Sequence, residues 1–253
     1  MDETFIHYSI FREMMRLLTL VLAESALEVI PQEIWNHPVI KRFSKRRGKH
    51  PRLIILDRSY HHHAMKNLEN NMKRGRPDIV HFSLLEALGS PLNREGLLKI
   101  YVHTINDYVI SISPETRLPK NFNRFVGLIE DLFEHGKVPP RGKPLLTLEA
   151  KTLPALVSEL KPEYTVIFDR PGEAKTLEET MVTLIKHDRP LAIVGGFPHG
   201  EFSRTTLSLA NEIICVDPEN LEAWTIVSRV IYEYERAISL PRKRLKRVNG
   251  ERA

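Results

Sequence analysis

The strongest constraint on the fold is a series of short apolar runs, each followed by turn-forming residues and separated by segments with helical spacing. The runs cover residues 53–57, 165–169, 191–195 and 212–216. Continuous hydrophobicity over four or five residues is typical of strands that are buried on both faces, as in a parallel sheet. The sequence therefore predicts an α/β fold in which helices cover both faces of a sheet.

Two segments have apolar residues at helical spacing. They are residues 65–72 and residues 221–238. Asp217 and Pro218 offer a start for the second helix, because aspartate caps a helix well and proline suits its first turn. We therefore predict one helix over each segment, the second beginning at Asp217 and Pro218.

One stretch breaks this alternation. Residues 99–104 and 108–112 are strand-like and flank Asn106 and Asp107, which predicts a β-hairpin. The proline-rich residues 137–144 predict a stiff connector that precedes the C-terminal third of the chain.

Length and composition allow a single large domain, since the chain has 253 residues. Its one cysteine, Cys215, cannot form an intrachain disulfide, and no signal-peptide pattern is present, so we expect a cytoplasmic protein. The apolar residues 17–23 are too few to span a bilayer.

Charge is distributed unevenly. The net charge is +5, yet residues 41–76 carry a local +10 and residues 242–253 carry +5, so the remainder is acidic. A basic region on an acidic body suits a polyanionic partner. For residues 41–52 a solvated face is an equal alternative, and for residues 242–253 it is the preferred one.

Two arginine-bearing stretches, residues 74–79 and 117–124, combine guanidinium groups with proline-stiffened backbone. Guanidinium groups suit bidentate recognition of phosphates or base edges. Arg76 and Asp78 allow two interpretations that are compatible with each other: an ion pair that fixes a turn, or a carboxylate that orients an arginine towards a ligand. Both stretches indicate a nucleic-acid site.

In the second stretch, Arg117, Lys120 and Arg124 surround Pro119 and Asn121, which predict a helix start. A helix N-terminus attracts anions, and no carboxylate lies among the three cations. The pattern favours phosphate binding.

A glycine-rich loop, residues 195–202, follows a predicted buried strand. Ligands bind at the carboxyl ends of parallel strands, so an ordinary turn and a cofactor loop are about equally compatible with it. The consecutive histidines at 61–63 cannot all face one ion from a helix, and the chain has no paired cysteines. No metal site is predicted.

Four ordered motifs, residues 60–65, 74–79, 81–94 and 117–124, resemble those of the pseudouridine N1-specific rRNA methyltransferases. This group belongs to the SPOUT class and is the essential nucleolar and mitotic-growth family of ribosome biogenesis. The likeness extends from about residue 17 to about residue 238 and points to an archaeal-like member.

The resemblance implies a SPOUT-type α/β fold with a C-terminal trefoil knot and a β-hairpin-containing insertion. It implies a single domain over residues 1–253, with a hairpin and basic RNA-binding segment at 97–124, a knotted cofactor-binding part at 165–238 and a basic tail at 239–253. It also implies a homodimer, S-adenosylmethionine as the cofactor and small-subunit rRNA as the partner, with ribosomal or assembly proteins as further partners.

The same resemblance assigns site residues. Arg76 and Asp78 would be catalytic, with Arg76 engaging the target and Asp78 holding it. The RNA-binding residues would be Arg74, Arg76, Arg117, Lys120 and Arg124. The cofactor-binding residues would be Gly195, Gly196, Gly200, Glu201, Ile214, Cys215, Val216, Asp217, Pro218 and Glu219. A non-catalytic RNA-binding assembly factor of the small ribosomal subunit, or a methyltransferase for another RNA position, remains the alternative.

Overall fold

The computed structural model describes residues 17–248 and 250. Its strands form one sheet, and they are β1 (Leu18–Ser25), β2 (Leu98–Thr104), β3 (Tyr108–Ile112), β4 (Lys137–Val138), β5 (Leu146–Ala150), β6 (Tyr164–Ala174), β7 (Pro190–Gly195) and β8 (Glu212–Cys215). The order across the sheet is β4-β5-β3-β2-β1-β7-β6-β8. The neighbouring strands β2, β1, β7, β6 and β8 are parallel to one another. Strands β3, β5 and β4 extend the sheet beyond β2, and each is antiparallel to its neighbour.

The helices are α1 (Pro38–Arg47), α2 (Arg58–Met65), α3 (Pro77–Gly89), α4 (Pro91–Arg94), α5 (Phe122–His135), α6 (Leu153–Leu160), α7 (Leu177–Leu184), α8 (Arg204–Leu207), α9 (Ala223–Ala237) and α10 (Leu240–Val248). Helices α3, α5, α7 and α9 contribute to the apolar core on one face of the sheet, and α6 contributes to the core on the other. The predicted α/β fold with helices on both faces is confirmed. Within the described residues, no helix combines the length and the hydrophobicity of a membrane span.

Strand β1 lies at the centre of this core. It pairs with β2 on one side and with β7 on the other. Leu20 and Leu22 face one apolar cluster, and Val21 and Ala23 face the opposite one. The apolar run at residues 17–23 is therefore explained by a strand that is buried on both faces.

The predicted strands at 165–169, 191–195 and 212–216 are confirmed as parts of β6, β7 and β8. The predicted hairpin is also confirmed, with Ile100 opposite Ile112 in the antiparallel pair of β2 and β3. Because β2 is itself a parallel neighbour of β1, this hairpin is part of the main sheet and does not form a separate appendage.

The predicted strand at 53–57 is wrong. A 3₁₀ turn covers Pro51–Leu53, and Ile55 forms only an isolated bridge with Val29. Ile54 and Leu56 are buried in a small apolar cluster with α1 and α2. Their hydrophobicity reflects burial in this lobe, and burial alone does not distinguish a strand from a coil segment.

Both helix predictions need correction at their ends. Helix α2 ends at Met65, and Met72 is 55% exposed, so the spacing over residues 65–72 does not mark one helix. The long helix α9 is confirmed, but it begins at Ala223. Asp217 instead accepts a hydrogen bond from the Glu219 amide at 3.0 Å, which closes a turn before the helix.

The lobe of α1 and α2 is joined to the main body by a buried carboxylate. The Glu130 side chain of α5 is only 1% exposed, and it accepts hydrogen bonds from Arg47 and Lys49 at 2.8 Å each. Because the Arg47 and Lys49 side chains are 38% and 35% exposed, water screens both ion pairs, but together they neutralise the buried Glu130 carboxylate. These contacts therefore fix α1 against α5.

His61 makes the stability of this lobe dependent on pH. Its ring is fully buried, and burial, assisted by the positive charge of Arg47, lowers its pKa from 6.5 to about 4. Below pH 6.5 His61 is protonated in the unfolded chain but stays neutral in the folded chain. The free energy of unfolding therefore falls as the pH falls towards 4. We expect a loss of about 2–3 kcal/mol between pH 7 and 4.5 from this group.

Urea denaturation of the wild type and His61→Leu at these two pH values measures this contribution. The His61→Leu variant should lose less stability on acidification, whereas His62→Leu, which changes an exposed neighbour, should behave like the wild type. Identical pH profiles for the wild type and His61→Leu would contradict the assignment.

Candidate functional site

Arg76 and Asp78 form a bidentate ion pair at the start of α3. Arg76 Nε donates to Asp78 Oδ1 at 2.8 Å and Arg76 Nη2 donates to Asp78 Oδ2 at 2.7 Å. These hydrogen bonds raise the pKa of Arg76, and the charges of Asp78 and Glu222 act in the same direction. The Arg76 side chain remains 34% exposed. The pair thus holds a guanidinium group in a fixed orientation while leaving part of it accessible.

Arg74 has a different environment. It is only 8% exposed, and its Nε and Nη2 donate to the two carboxylate oxygens of Glu28 at 2.7 and 2.5 Å. Its Nη1 donates to the Glu69 carbonyl. The sequence predicts that Arg74 binds RNA. Its burial and these three contacts instead direct the guanidinium group into the protein.

The second arginine stretch is held beside the first. His81 of α3 donates from Nε2 to the Pro119 carbonyl oxygen at 2.8 Å, and its ring stacks on Phe125 with 4.3 Å between centroids. Asn121 caps α5, accepting from the Arg124 amide at 3.1 Å, so the predicted helix start is confirmed. Sequence reasoning assigned no role to His81, although a histidine on a buried helix face could have indicated this bridge.

Arg117, Lys120 and Arg124 are exposed. Within residues 17–248, none of the three forms an ion pair with a carboxylate. They therefore present unneutralised positive charge around the N-terminus of α5, where the helix dipole adds to it.

A cavity of about 190 Å³ lies at the carboxyl ends of β7 and β8, beside the middle of β6. Of the residues predicted to bind a cofactor, those that line it are Gly195, Gly200, Ile214, Cys215, Val216, Asp217 and Glu219. The structure thus brings together the glycine-rich loop after β7 and the loop after β8. This is the edge at which parallel sheets bind ligands.

Three predicted residues do not line this cavity: Gly196, Glu201 and Pro218. Gly196 joins the sheet, since its amide donates to the Ala23 carbonyl and its carbonyl accepts from the Ala26 amide. A Cβ atom at Gly196 would lie 2.9 Å from Ser25 Cα. Packing against β1 therefore explains this glycine.

Sequence reasoning missed a third wall of the cavity. It is formed by Phe168, Asp169 and Arg170, in the middle of β6, where the pairing of this strand with β7 stops at Phe168. Asp169 Oδ1 accepts from the Arg170 amide at 2.9 Å, while its Oδ2 is buried without a hydrogen-bond partner among the described residues. Burial raises the pKa of Asp169. The rule that ligands bind at strand ends, applied to the predicted strand 165–169, could have found this wall.

Lys73 connects the cavity to the Arg76 segment. Its ammonium group lies 4.3 Å from the centroid of the Phe197 ring and 2.6 Å from Glu24 Oε2. Phe197 lines the cavity, and Glu24 Oε1 accepts from the Ser203 amide and from Thr206 Oγ1. Residues 73–76 therefore contact the glycine-rich loop at one end and carry the oriented Arg76 at the other.

The part of the chain that the structure describes contains no group of three or more metal-ligating side chains placed to hold an ion. The histidines at 61–63 differ in burial: His61 is buried, and the other two are exposed.

Comparison with known proteins decides the family. The sequence profile described as EMG1/NEP1 methyltransferase matches residues 20–235. The chain belongs to the EMG1/NEP1 methyltransferase family. The resemblance inferred from the four motifs is thereby confirmed. The EMG1/NEP1 match includes both arginine stretches and all three walls of the cavity, and it excludes α10.

Individual relatives agree with this assignment. The chain is 46% identical over 224 residues to the ribosomal RNA small subunit methyltransferase Nep1 of Thermococcus kodakarensis, covering 88% of this chain and 100% of the relative. It is 48% identical to the Nep1 of Pyrococcus furiosus, with 88% and 98% covered. The crystal structure of Archaeoglobus fulgidus Nep1 bound to S-adenosylhomocysteine superposes with a TM-score of 0.76 at 38% identity, covering 88% of this chain and 99% of that one.

We expect Gly196→Ala to lower the free energy of unfolding by about 2–3 kcal/mol, because the added methyl group would collide with the Ser25 backbone. Gly127→Ala is the matched control, since its Cβ would meet nothing within 4 Å and it lies inside α5. That control should keep or slightly raise the stability. Urea denaturation measures both, and a Gly196→Ala variant as stable as the wild type would refute the packing role.

Proposed function

We propose that this protein transfers a methyl group from S-adenosylmethionine to N1 of a pseudouridine in small-subunit rRNA. The observation that carries the proposal is the position of residues 73–76, which join the cavity at the strand ends to the oriented Arg76. The names of the relatives, and S-adenosylhomocysteine in the related crystal structure, support the same reaction and cofactor.

The cavity residues fit this cofactor. S-adenosylmethionine supplies a methyl group bonded to a positively charged sulfur. Asp169, Asp217 and Glu219 line the cavity, against the single cation Arg170, and this acidic balance suits a cationic ligand. The unpartnered Asp169 Oδ2 needs a hydrogen-bond donor, which a hydroxyl or amino group of the ligand would provide. Gly195 and Gly200 allow the backbone to approach it closely.

Arg76 and Asp78 act on the base. Pseudouridine carries an N1–H that uridine lacks, and loss of this proton makes N1 the nucleophile for the methyl carbon. The N1–C bond forms as the C–S bond breaks, and one proton is released to solvent. Negative charge that develops on the base is stabilised by the Arg76 guanidinium, which Asp78 holds in place and which therefore needs no reorganisation.

Arg117, Lys120 and Arg124 bind RNA phosphates in this proposal. Their exposure and lack of carboxylate partners support the role, as does the His81 bridge that keeps them next to the Arg76 segment. Lys120 contributes a point charge, whereas the two arginines offer planar forks. The target base would leave its stack to reach the cavity. We assign Arg74 to holding the segment in place.

The proposal includes a trefoil knot within residues 165–238. Its support is the unusual pairing of β6, in which Phe168 and Glu173 both pair with Ile214 of β8. Gly172 lies between them, and a Cβ atom there would come within 2.6 Å of the Ile213 backbone. Residues 169–172 thus leave the pairing and β6 returns to the same place on β8, with the backbones in very close contact.

A homodimer is also proposed, with α3 and α9 at the interface. Phe82 and Tyr232 are exposed on these helices at 43% and 55%, and Phe82 makes an edge contact with Trp224 at 5.3 Å between centroids. A second copy of the chain would cover this aromatic surface. Ribosomal or assembly proteins as further partners, and a cytoplasmic location, remain part of the proposal.

The reaction is tested with labelled S-adenosylmethionine and two stem-loops that differ only in carrying pseudouridine or uridine at one position. We expect label only in the pseudouridine RNA, because uridine has no N1–H. Equal labelling of both RNAs would refute N1 specificity. RNA binding with neither label transfer nor affinity for S-adenosylhomocysteine would favour the non-catalytic assembly factor.

Arg76→Ala should lower kcat by about 100-fold or more, because it removes a preorganised donor that stabilises developing charge. The affinity for S-adenosylhomocysteine should stay within about twofold of the wild type, because Arg76 does not line the cavity. Asp78→Asn should give a smaller loss, because its amide can still hold the guanidinium but without the ion pair. Arg141→Ala, an exposed arginine on the connector, serves as the control. Single-turnover methylation and calorimetry measure the two quantities, and an unchanged kcat in Arg76→Ala would overturn the catalytic role.

A further inference from the structure

Helix α1 separates its cations onto two faces. Ile40 is fully buried and Phe43 is half-buried, and Arg47 on the same side of the helix pairs with Glu130. Each residue advances the helix by about 100°, so the remaining cations share the opposite side. These outward residues, all exposed, are Lys41, Arg42, Lys45 and Arg46.

The outward cations have no carboxylate partner among residues 17–248. Helix α1 contains no acidic residue, and among the described residues no ion pair involves any of the four. Other parts of the surface differ, because Lys151, Lys175 and Arg236 each pair with a glutamate. Unpaired cations on one side of a helix repel each other and destabilise it, and an anionic partner would remove this repulsion.

An exposed aromatic ring borders these cations. Tyr60 of α2 is 52% exposed and lies 5.3 Å from the Phe43 ring between centroids. Arg46 lies 4.9 Å from the centroid of the same Phe43 ring. Cations beside an exposed aromatic ring are the combination that binds single-stranded nucleic acid, in which phosphates meet the charges and a base stacks on the ring.

Two contacts join the helices of this surface to the elements of the proposed active site. Helix α5, which carries Arg124 at its start, holds α1 through Glu130. Helix α2 reaches the Arg76 segment directly, since the Arg58 amide donates to the Gly75 carbonyl at 2.8 Å. Helices α1 and α2 are therefore neighbours of the two elements that carry Arg124 and Arg76.

We propose that Lys41, Arg42, Lys45, Arg46 and Tyr60 form a second RNA-binding surface, the α1 surface, which takes single-stranded RNA flanking the target stem-loop. The proposal rests on the rRNA substrate of the proposed function. Of the two interpretations of residues 41–52, it favours a polyanion site for the outward cations, while Arg47 and Lys49 pair with the buried Glu130.

The test compares the binding of two RNAs at several salt concentrations: the target stem-loop alone, and the same stem-loop with single-stranded extensions of about ten nucleotides on both sides. We expect the extended RNA to bind the wild type about tenfold more tightly. A variant in which all four outward cations are changed to Gln (Lys41, Arg42, Lys45 and Arg46) should lose this gain. For the extended RNA, the magnitude of its slope of log K against log salt should be smaller than that of the wild type by about 2–3, at roughly 0.7 per phosphate contact. Tyr60→Ala should remove about fivefold or more with little change in slope.

The control variant carries Lys99→Gln, Lys161→Gln, Lys186→Gln and Arg141→Gln, which remove the same charge from exposed positions outside α1 and α2. It should keep most of the gain. Arg124→Gln should instead weaken both RNAs, which separates the α1 surface from the stem-loop contacts. Unchanged affinity for S-adenosylhomocysteine shows that each variant is folded.

Three results would overturn the proposal: extensions that add no affinity in the wild type, an α1 variant that keeps the full gain, or a control variant that loses as much as the α1 variant. An α1 variant that binds RNA normally but loses binding to anionic lipid vesicles would also overturn it and assign the surface to membranes. These binding measurements need no methyl transfer. A failure of the proposed function would instead appear as a wild type that labels no RNA, so the two failures are distinguishable.

Discussion

The buried ion pair of Glu28 and Arg74 is the contact on which the proposed site depends most. Glu28 is 1% exposed and receives Arg74 on both carboxylate oxygens. It also accepts from Asn106 Nδ2 at 2.7 Å, which fixes the turn of the β2–β3 hairpin. A buried pair adds little net stability compared with apolar residues, but leaving one member unpaired costs several kcal/mol. The pair therefore restricts residues 73–76 to one position relative to the sheet.

That restriction has a direct consequence for the chemistry. With Arg74 held inside, Lys73 meets Glu24 and the Phe197 ring, and Arg76 emerges at the start of α3 beside Asp78. Glu24 has a positive φ of 50°, an unfavourable conformation for glutamate, and burial raises its pKa while hydrogen bonds from Lys73, Ser203 and Thr206 lower it overall. Several loops thus converge on Glu24, which holds the glycine-rich loop and the segment that carries Arg76 in one arrangement.

The basic residues show how far sequence reasoning could go. Composition identified residues 41–76 as strongly basic. It could not tell which cations face inward. Arg47 and Arg74 neutralise buried carboxylates at Glu130 and Glu28, both distant in sequence, whereas the outward cations of α1 have no such partner. Only contacts between remote segments separate a structural guanidinium from one that is available to a ligand.

The sequence by itself determined the fold class, the positions of β6, β7 and β8, the hairpin, the cap of α5 and the family, because these depend on local hydrophobic patterns, turn chemistry and ordered motifs. Tertiary structure decided what local patterns do not contain. Residues 53–57 are apolar because a small lobe buries them, although no neighbouring strand pairs with them along their length. Gly196 is a glycine because Ser25 lies against it, and Asp169 joins the cavity because the pairing of β6 with β7 and β8 is interrupted after Phe168. In each case the deciding neighbour is far away in the chain, and its approach follows from the packing of the whole sheet.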